Sequence, residues 1–290
     1  MILSTLDKSR KGGAYEQIPS LVLGQRWTPQ LNSRNMMKVV LCVWIEPYIE
    51  NDLSFCVWPV HTPTTSKEVL TLSASTSPLP YTGNKSCIVN TILSVMPKHT
   101  VYIDPCMGSA EVFFRKPRAE KEILNDYNGD LVNLFRVIQN NEKLAYLLGR
   151  LYLSINGELA FKQNKDRLKG VPNILDDVIE TSQIFYDASW EDIQNAAAFL
   201  ENQVYSFSST GQTFGIARRD MSQRLPRLMS AYNRIRDAII LHRDYKDVIT
   251  YAACPGSFIL LDPPYKGTED MYSKANFDIE QHDILFSFMS

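Results

Sequence analysis

The pattern of apolar and polar positions is sharpest at Ile259-Leu260-Leu261, a run that stops at Asp262-Pro263-Pro264-Tyr265. A short unbroken run of this kind reads as a buried strand. The prolines end it, because neither can donate to a sheet ladder. Upstream, Val101-Tyr102-Ile103-Asp104 reads as a strand running into Pro105 and Gly108, with a helix beginning over Glu111 to Arg115. Glu122-Ile123-Leu124-Asn125-Asp126 reads as a second strand with a polar end. Leu131, Leu134, Phe135 and Ile138 then recur at helical spacing, as do Leu144, Leu147, Leu148 and Leu151, the stripe of an amphipathic helix. Strand, glycine turn, helix, strand, helix is the pattern of an open parallel α/β sheet.

A further stripe, Leu225, Leu228, Tyr232, Ile235 and Ile239, predicts a helix before strands near Val248 and Ile259. Between about Ser154 and Arg219 no βαβ unit is legible, and the interval reads as a mostly helical insertion ending in a Ser/Gly-rich loop. Residues 62–80 are dominated by Ser, Thr and Pro, which is linker composition. Before them, the apolar patches Met37 to Ile45 and Leu53 to Val60 are interrupted or ended by proline, with no repeat and no chemical motif. The expected division is an extension over 1–80, a first α/β half over 81–153, an insertion over 154–224 and a second half over 225–290. The extension is expected to be poorly ordered or loosely strand-forming.

Composition narrows this little. With 290 residues, 44% hydrophobic and 21% charged, the chain is an ordinary globular one. It has no apolar stretch of about 18 residues, and Met1 to Gly24 lacks the layout of a secretory signal. Cys42, Cys56, Cys87, Cys106 and Cys254 are odd in number and scattered, so neither a disulfide framework nor a zinc site is expected. His61, His99, His242 and His282 form no ligand-spaced pair and read as surface or packing residues. No metal is expected, and a reducing cytoplasm fits best. The net charge is −2, but Tyr205 to Lys246 carries eight Lys/Arg against three Asp, a stripe suited either to phosphates or to a solvated helix face.

Candidate chemistry gathers at the strand ends, where open α/β sheets bind ligands. Past the first strand lies Asp104-Pro105-Cys106-Met107-Gly108-Ser109-Ala110, with Gly108 permitting a tight turn. Asp126 follows Asp104 by 22 residues, a place from which a carboxylate reaches ribose hydroxyls. Asp262, a stiff Pro263-Pro264 turn and Tyr265 suit a planar base bearing an exocyclic amine. The carboxylate and a proline carbonyl each accept one N–H, and the ring stacks. Either feature alone is also explained by an ordinary turn. A nicotinamide site fits poorly, because no complete G-x-G-x-x-G is present.

Taken together these segments resemble the Dam-like (D12, or alpha-type) adenine-N6 DNA methyltransferases. Tyr81-Thr82-Gly83-Asn84-Lys85 resembles their motif X, Ile103 to Ala110 motif I, Asn125-Asp126-Tyr127-Asn128 motif II and Asp262 to Tyr265 motif IV, in the order of that class. Ala110 stands where the family usually has glycine.

The resemblance implies a Rossmann-like S-adenosylmethionine-dependent methyltransferase with a helical target-recognition insertion, acting on double-stranded DNA in the cytoplasm and encoded by a bacterium or phage. Tyr81, Lys85, Asp104, Pro105, Gly108, Ser109, Asp126 and Asp262 would hold the cofactor, and Asp262, Pro263, Pro264 and Tyr265 would carry catalysis. Ser208, Ser209, Gly211, Gln212, Thr213, Arg218 and Arg219, in or just after the Ser/Gly-rich loop, would touch DNA. A cognate restriction endonuclease is a conceivable partner. Cytosine-N4 methylation uses the same amine chemistry, although the cytosine enzymes more often carry serine at the position of Asp262. The family continues beyond motif IV with three more strands, whereas this chain stops about 25 residues after Tyr265. The resemblance therefore implies an incomplete sheet, bare beside the Ile259 strand, and an inactive DNA- or cofactor-binding remnant as the alternative to an enzyme.

Overall fold

The apolar runs around Ile103, Ile123 and Ile259 become neighbouring parallel strands in the computed structural model, which describes residues 21–25, 39–45, 76–176, 189–217 and 219–263. The strands are β1 (Leu21–Gln25), β2 (Val39–Ile45), β3 (Val101–Asp104), β4 (Lys121–Asn125), β5 (Ile239–Leu241) and β6 (Ser257–Leu261), in the spatial order β1-β2-β6-β3-β4-β5. From β2 to β5 every pairing is parallel, and β1 alone runs antiparallel at the edge. The helices are α1 (Val89–Val95), α2 (Glu111–Arg115), α3 (Gly129–Gln139), α4 (Asn141–Tyr152), α5 (Glu158–Lys169), α6 (Trp190–Tyr205), α7 (Leu225–Ile235) and α8 (Tyr245–Ala252). This is the mixed α/β architecture of a Rossmann-like methyltransferase.

Alternate strand residues face opposite sides of a sheet, and the buried residues divide accordingly. Tyr102, Leu124, Phe258 and Leu260 point into the larger core with α1 to α4, α6 and α7, while Ile103, Ile123, Ile259 and Leu261 pack against α8. The insertion shares the larger core. Its helix α6 begins in a Ser189/Asp192 capping box and lays buried Ala196, Ala197 and Ala198 between α3 and α5. The three small residues let the helices approach closely.

The expected bare flank of β6 is occupied. β2 pairs with β6 in register from Val39 opposite Phe258 to Cys42 opposite Leu261. Seven consecutive apolar residues suit a parallel strand covered on both faces, but nothing local in the sequence names a partner more than 200 positions away. At the start of the domain, Ser77 and Leu79 are buried, and the Ser77 amide donates to Glu111 Oε2 at 3.2 Å. The remaining linker positions, 62–75, lie outside the described residues.

Two smaller expectations are corrected. Ile239 continues the spacing of the α7 stripe but belongs to β5, because the helix closes at Arg236 and the Ala238 amide turns back onto Ile235 O. Val248 lies in α8 rather than a strand, since the Asp244 side chain accepts from the Lys246 amide and starts a helix there. The basic stripe is also partly dissolved. Arg234 is buried, paired with Glu122 at 2.5 Å and set 3.7 Å from the Phe113 ring centroid, so it serves packing rather than phosphate. Among the described residues no helix is long and apolar enough to cross a membrane, and no His, Cys, Asp and Glu group could hold a metal ion.

Candidate active site at the carboxyl edge of the sheet

The tips of β3, β4, β5 and β6 meet at one cleft, and buried Asn125 fastens three of them together. Its side-chain amide donates to Pro105 O at 2.8 Å and Arg243 O at 2.9 Å, and its oxygen accepts from the Arg243 amide at 2.9 Å. The sequence marks Asn125 only as part of a strand-end motif; its zero exposure and three bonds make it the joint of the site.

The loop after β3 closes tightly against the end of β4. The Met107 amide donates to Asn125 O at 2.8 Å, and the Gly108 amide donates to Asp126 Oδ2 at 3.0 Å. Gly108 has φ 48°, and Ala110, the departure from the family's glycine, also sits in the left-handed region at φ 55°. That conformation is the physical reason for glycine there, and this chain accommodates a methyl group instead. Asp126 Oδ1 accepts from the Asn128 amide at 2.9 Å. The turn that carries it is pinned from behind: Asn173 donates to Tyr127 O at 2.9 Å, and His242 Nε2 lies 3.1 Å from both Tyr127 O and Asn173 Oδ1. His242 is therefore a buried strut of the site and not a surface residue.

The segment from Tyr81 to Lys85 covers the same cleft. The Tyr81 ring lies against the Cα of Gly108, where an added Cβ would meet it at 3.7 Å. Asn84 Nδ2 donates to Ser109 Oγ at 3.1 Å. Lys85 Nζ reaches Asp262 Oδ2 at 2.5 Å and also donates to Gly83 O at 2.7 Å. The lysine ammonium thus holds the Asp262 carboxylate directly, from a side chain only 7% exposed.

Tyr81, Lys85, Asp104, Pro105, Gly108, Ser109, Asp126, Asp262 and Pro263 all line this one cleft. Glu111, Arg243, Asp244 and Tyr245 also line it with no motif to mark them, as do Asn125 and Asn128, which the sequence marks only as the ends of motif II. Pro264 and Tyr265 lie outside the described residues.

The cleft is rich in carboxylates that resist ionisation. Burial pushes Asp104 up to about 8, reinforced by Asp262 and Asp126 and opposed by the Tyr102 hydroxyl and Lys85. Burial likewise raises Asp126 to about 6, against the amides of Asn128, Gly108 and Tyr127. Tyr102 donates to Asp104 Oδ2 at 2.9 Å, while Asp104 Oδ1 is buried with no hydrogen-bond partner among the described residues. A buried acceptor left unmatched is costly. Such a cleft therefore favours a ligand that brings positive charge or donors.

The Ser/Gly-rich loop adjoins the cleft. The Phe207 amide donates to Thr213 O and the Gly215 amide to Tyr205 O, each at 2.8 Å, which folds 205–215 back on itself. Thr82 Oγ1 donates to Ser209 O at 3.4 Å, and Lys165 Nζ to Gln212 O at 2.6 Å. Tyr81 and Thr82 line both the cleft and a neighbouring cavity that contains Thr210, Gly211 and Gln212. Ser208, Gln212 and Thr213 are exposed, and Ser209 and Gly211 are half-buried. Arg219 is partly committed elsewhere, donating to Val204 O at 2.6 Å at the end of α6, and Arg218 lies outside the described residues.

Gly211 has φ 70°, and an added Cβ would lie 2.8 Å from Gln203 Nε2. Gly211→Ala is expected to distort this loop by about 1–2 kcal/mol. Thermal unfolding of the variant beside the parent would register the loss.

Comparison with known proteins agrees with this geometry. A family model described as D12 class N6 adenine-specific DNA methyltransferase matches residues 81–290. The chain is similar to the type II methyltransferase M.CviBI of Paramecium bursaria Chlorella virus NC1A, 22% identical over 192 residues, 65% of this chain and 68% of that protein. It is also similar to the type II methyltransferase M1.LlaDCHI of Lactococcus lactis subsp. cremoris, 23% identical over 192 residues, 64% of each. It spans about two thirds of the length of these relatives. On the family match, across a fold and cleft of the right kind, the chain belongs to the D12 class of N6 adenine-specific DNA methyltransferases.

Proposed function

We propose that this chain transfers a methyl group from S-adenosylmethionine to the N6 amine of adenine in double-stranded DNA, with the base flipped out of the helix. The observation that carries this reading is the placement of Asp262 and Pro263 in the same cleft as Asp104, Gly108 and Asp126. An amine acceptor and a candidate cofactor seat thereby share one space.

The residues present fit that cofactor. Its ammonium and sulfonium charges match a cleft carrying Asp104 and Asp126, and the orphaned Asp104 Oδ1 offers an acceptor to a donor group. Asp126, fixed by the Gly108 and Asn128 amides, would accept from ribose hydroxyls. S-adenosylmethionine supplies an electrophilic methyl group whose bonding pair stays with sulfur on transfer.

Asp262 and the Pro263 carbonyl would each accept one N–H of the adenine amine. That draws the nitrogen lone pair out of conjugation with the ring and aims it in line at the methyl group. Lys85 holds Asp262 in place, so the side chain meets the developing positive charge with little reorganisation. The amine proton then leaves to water. Base stacking lost on flipping would be replaced by Tyr265 at roughly 1–3 kcal/mol. The loop from Ser208 to Thr213, with Arg218 and Arg219, would meet the DNA. The relatives' type II naming suggests a cognate restriction endonuclease as a partner.

The raised carboxylates give this reading a pH signature. A cation bound beside Asp104 and Asp126 favours their ionised forms, so binding releases protons wherever these groups are protonated beforehand. Cofactor affinity should therefore rise as pH increases from about 6 to about 7.5, where the cofactor's own α-amino group begins to lose its charge. Calorimetry in two buffers of different ionisation enthalpy would register the released protons, and a flat profile would contradict the assigned seat.

The reaction itself is tested by expressing the full chain in a host that lacks adenine methylation and analysing the nucleosides of its DNA. N6-methyladenine is the expected product. N4-methylcytosine would move the assignment to the cytosine reading, and unmodified DNA would favour a binding remnant.

A further inference from the structure

The segment matched by the family begins at residue 81, yet the sheet that carries the candidate active site reaches back to residue 21, and the strand beside β6 begins at residue 39. The register of β6 explains why this matters. On one side it pairs with β3 from Ser257 through Ile259, and that pairing ends there. On the other side it pairs with β2 from Phe258 through Leu261. Among the described residues, the strand partners of Leu260 and Leu261 are Leu41 and Cys42. These are the last two residues before Asp262.

We infer that Val39–Ile45 is a positioning element of the active site: as the parallel neighbour of β6 it fixes the end of the strand from which Asp262 and Pro263 project. This rests on the function proposed above, with Asp262 as the amine acceptor. The sequence of β2 suits the task. Val39-Val40-Leu41-Cys42-Val43-Trp44-Ile45 is unbroken apolar β-former, the composition of a strand enclosed by neighbours. β1 pairs along its far side, Leu21 opposite Ile45 through Gln25 opposite Leu41, and takes the edge position itself. An acceptor displaced by about 1 Å can cost a hundredfold in rate, so the strand that anchors the tip of β6 bears on turnover. The candidate cofactor seat is built on β3 and β4, on the opposite side of β6 from β2. A positioning role therefore separates turnover from cofactor binding, which general unfolding would not do.

The tests use the full chain. Cys42 and Leu261 are register partners on strands about 4.8 Å apart, a separation a disulfide spans. In Leu261→Cys, oxidation should join Cys42 to the introduced thiol, identified by peptide mass spectrometry and absent when Cys42→Ala is added. Failure to form this link under conditions that oxidise free thiols would overturn the placement of β2. Leu41→Pro removes a ladder donor from β2. It should lower kcat about a hundredfold, leave cofactor affinity within about threefold, and speed amide exchange at Leu260 and Leu261, with Leu41→Val restoring the parent values. Unchanged kcat in Leu41→Pro would overturn the positioning role. Loss of cofactor binding in parallel with kcat would also overturn it, by showing a general structural role. If the parent transfers no methyl group, the proposed function fails, and cross-linking and exchange still decide where β2 lies.

Discussion

Asp262→Ala is expected to lower methyl transfer about a thousandfold, the scale of losing a preorganised group that meets charge developing in the transition state. Cofactor affinity should change by less than about threefold. The separation follows from the geometry: Asp262 projects from the end of β6, while the acceptors assigned to the cofactor, Asp104 and Asp126, stand at the ends of β3 and β4. The variant also leaves the Lys85 ammonium without its carboxylate partner, although Gly83 O still accepts from it. Asp262→Asn keeps the shape and one acceptor oxygen, so it should retain more activity than the alanine variant. Single-turnover rates at saturating cofactor measure both. Activity equal to the parent in Asp262→Ala would remove Asp262 from the mechanism.

Asp126→Ala should act on the other quantity. Its two oxygens hold the Gly108 and Asn128 amides and face the cleft. A charged hydrogen bond to the cofactor contributes about 1.5–3 kcal/mol, so the dissociation constant should rise about 10- to 100-fold, with turnover at saturating cofactor largely preserved. Asp126→Asn keeps an oxygen for one of the amides and separates support of the loop from charge. Thermal unfolding of each variant shows whether the loop has survived. An unchanged affinity in Asp126→Ala would remove the ribose assignment.

Much of this site was legible because its signals are local. Leu261-Asp262-Pro263 marks a strand end through proline chemistry, and Asp104 through Gly108 marks a turn through glycine. The structure brings those segments to one cleft. What escaped the sequence depends on distant partners. Val39–Ile45 carries the composition of an enclosed strand, but its pairing with Phe258–Leu261 crosses most of the chain and has no local mark.

Ile239 fits helical spacing after Ile235, yet the chain turns at Ala238 and the residue enters the sheet. Arg234, on α7, has the look of a phosphate-binding residue until Glu122, on β4, is found against it. His242 belongs to no motif and Asn125 is marked only as the start of motif II, and their roles come from the turns they hold. The position of Ala110 shows the reverse case, where φ 55° explains a pattern of glycine that the sequence could only register as a departure.

The proposed reaction needs a cofactor seat and an amine acceptor in one cleft. It is tested most directly by incubating the purified full chain with labelled S-adenosylmethionine and unmethylated duplex DNA, beside Asp262→Ala. Label is expected in N6-methyladenine for the parent and almost none for the variant, with both proteins binding the cofactor. Cofactor binding without label in the parent, or equal label in the two proteins, would contradict it.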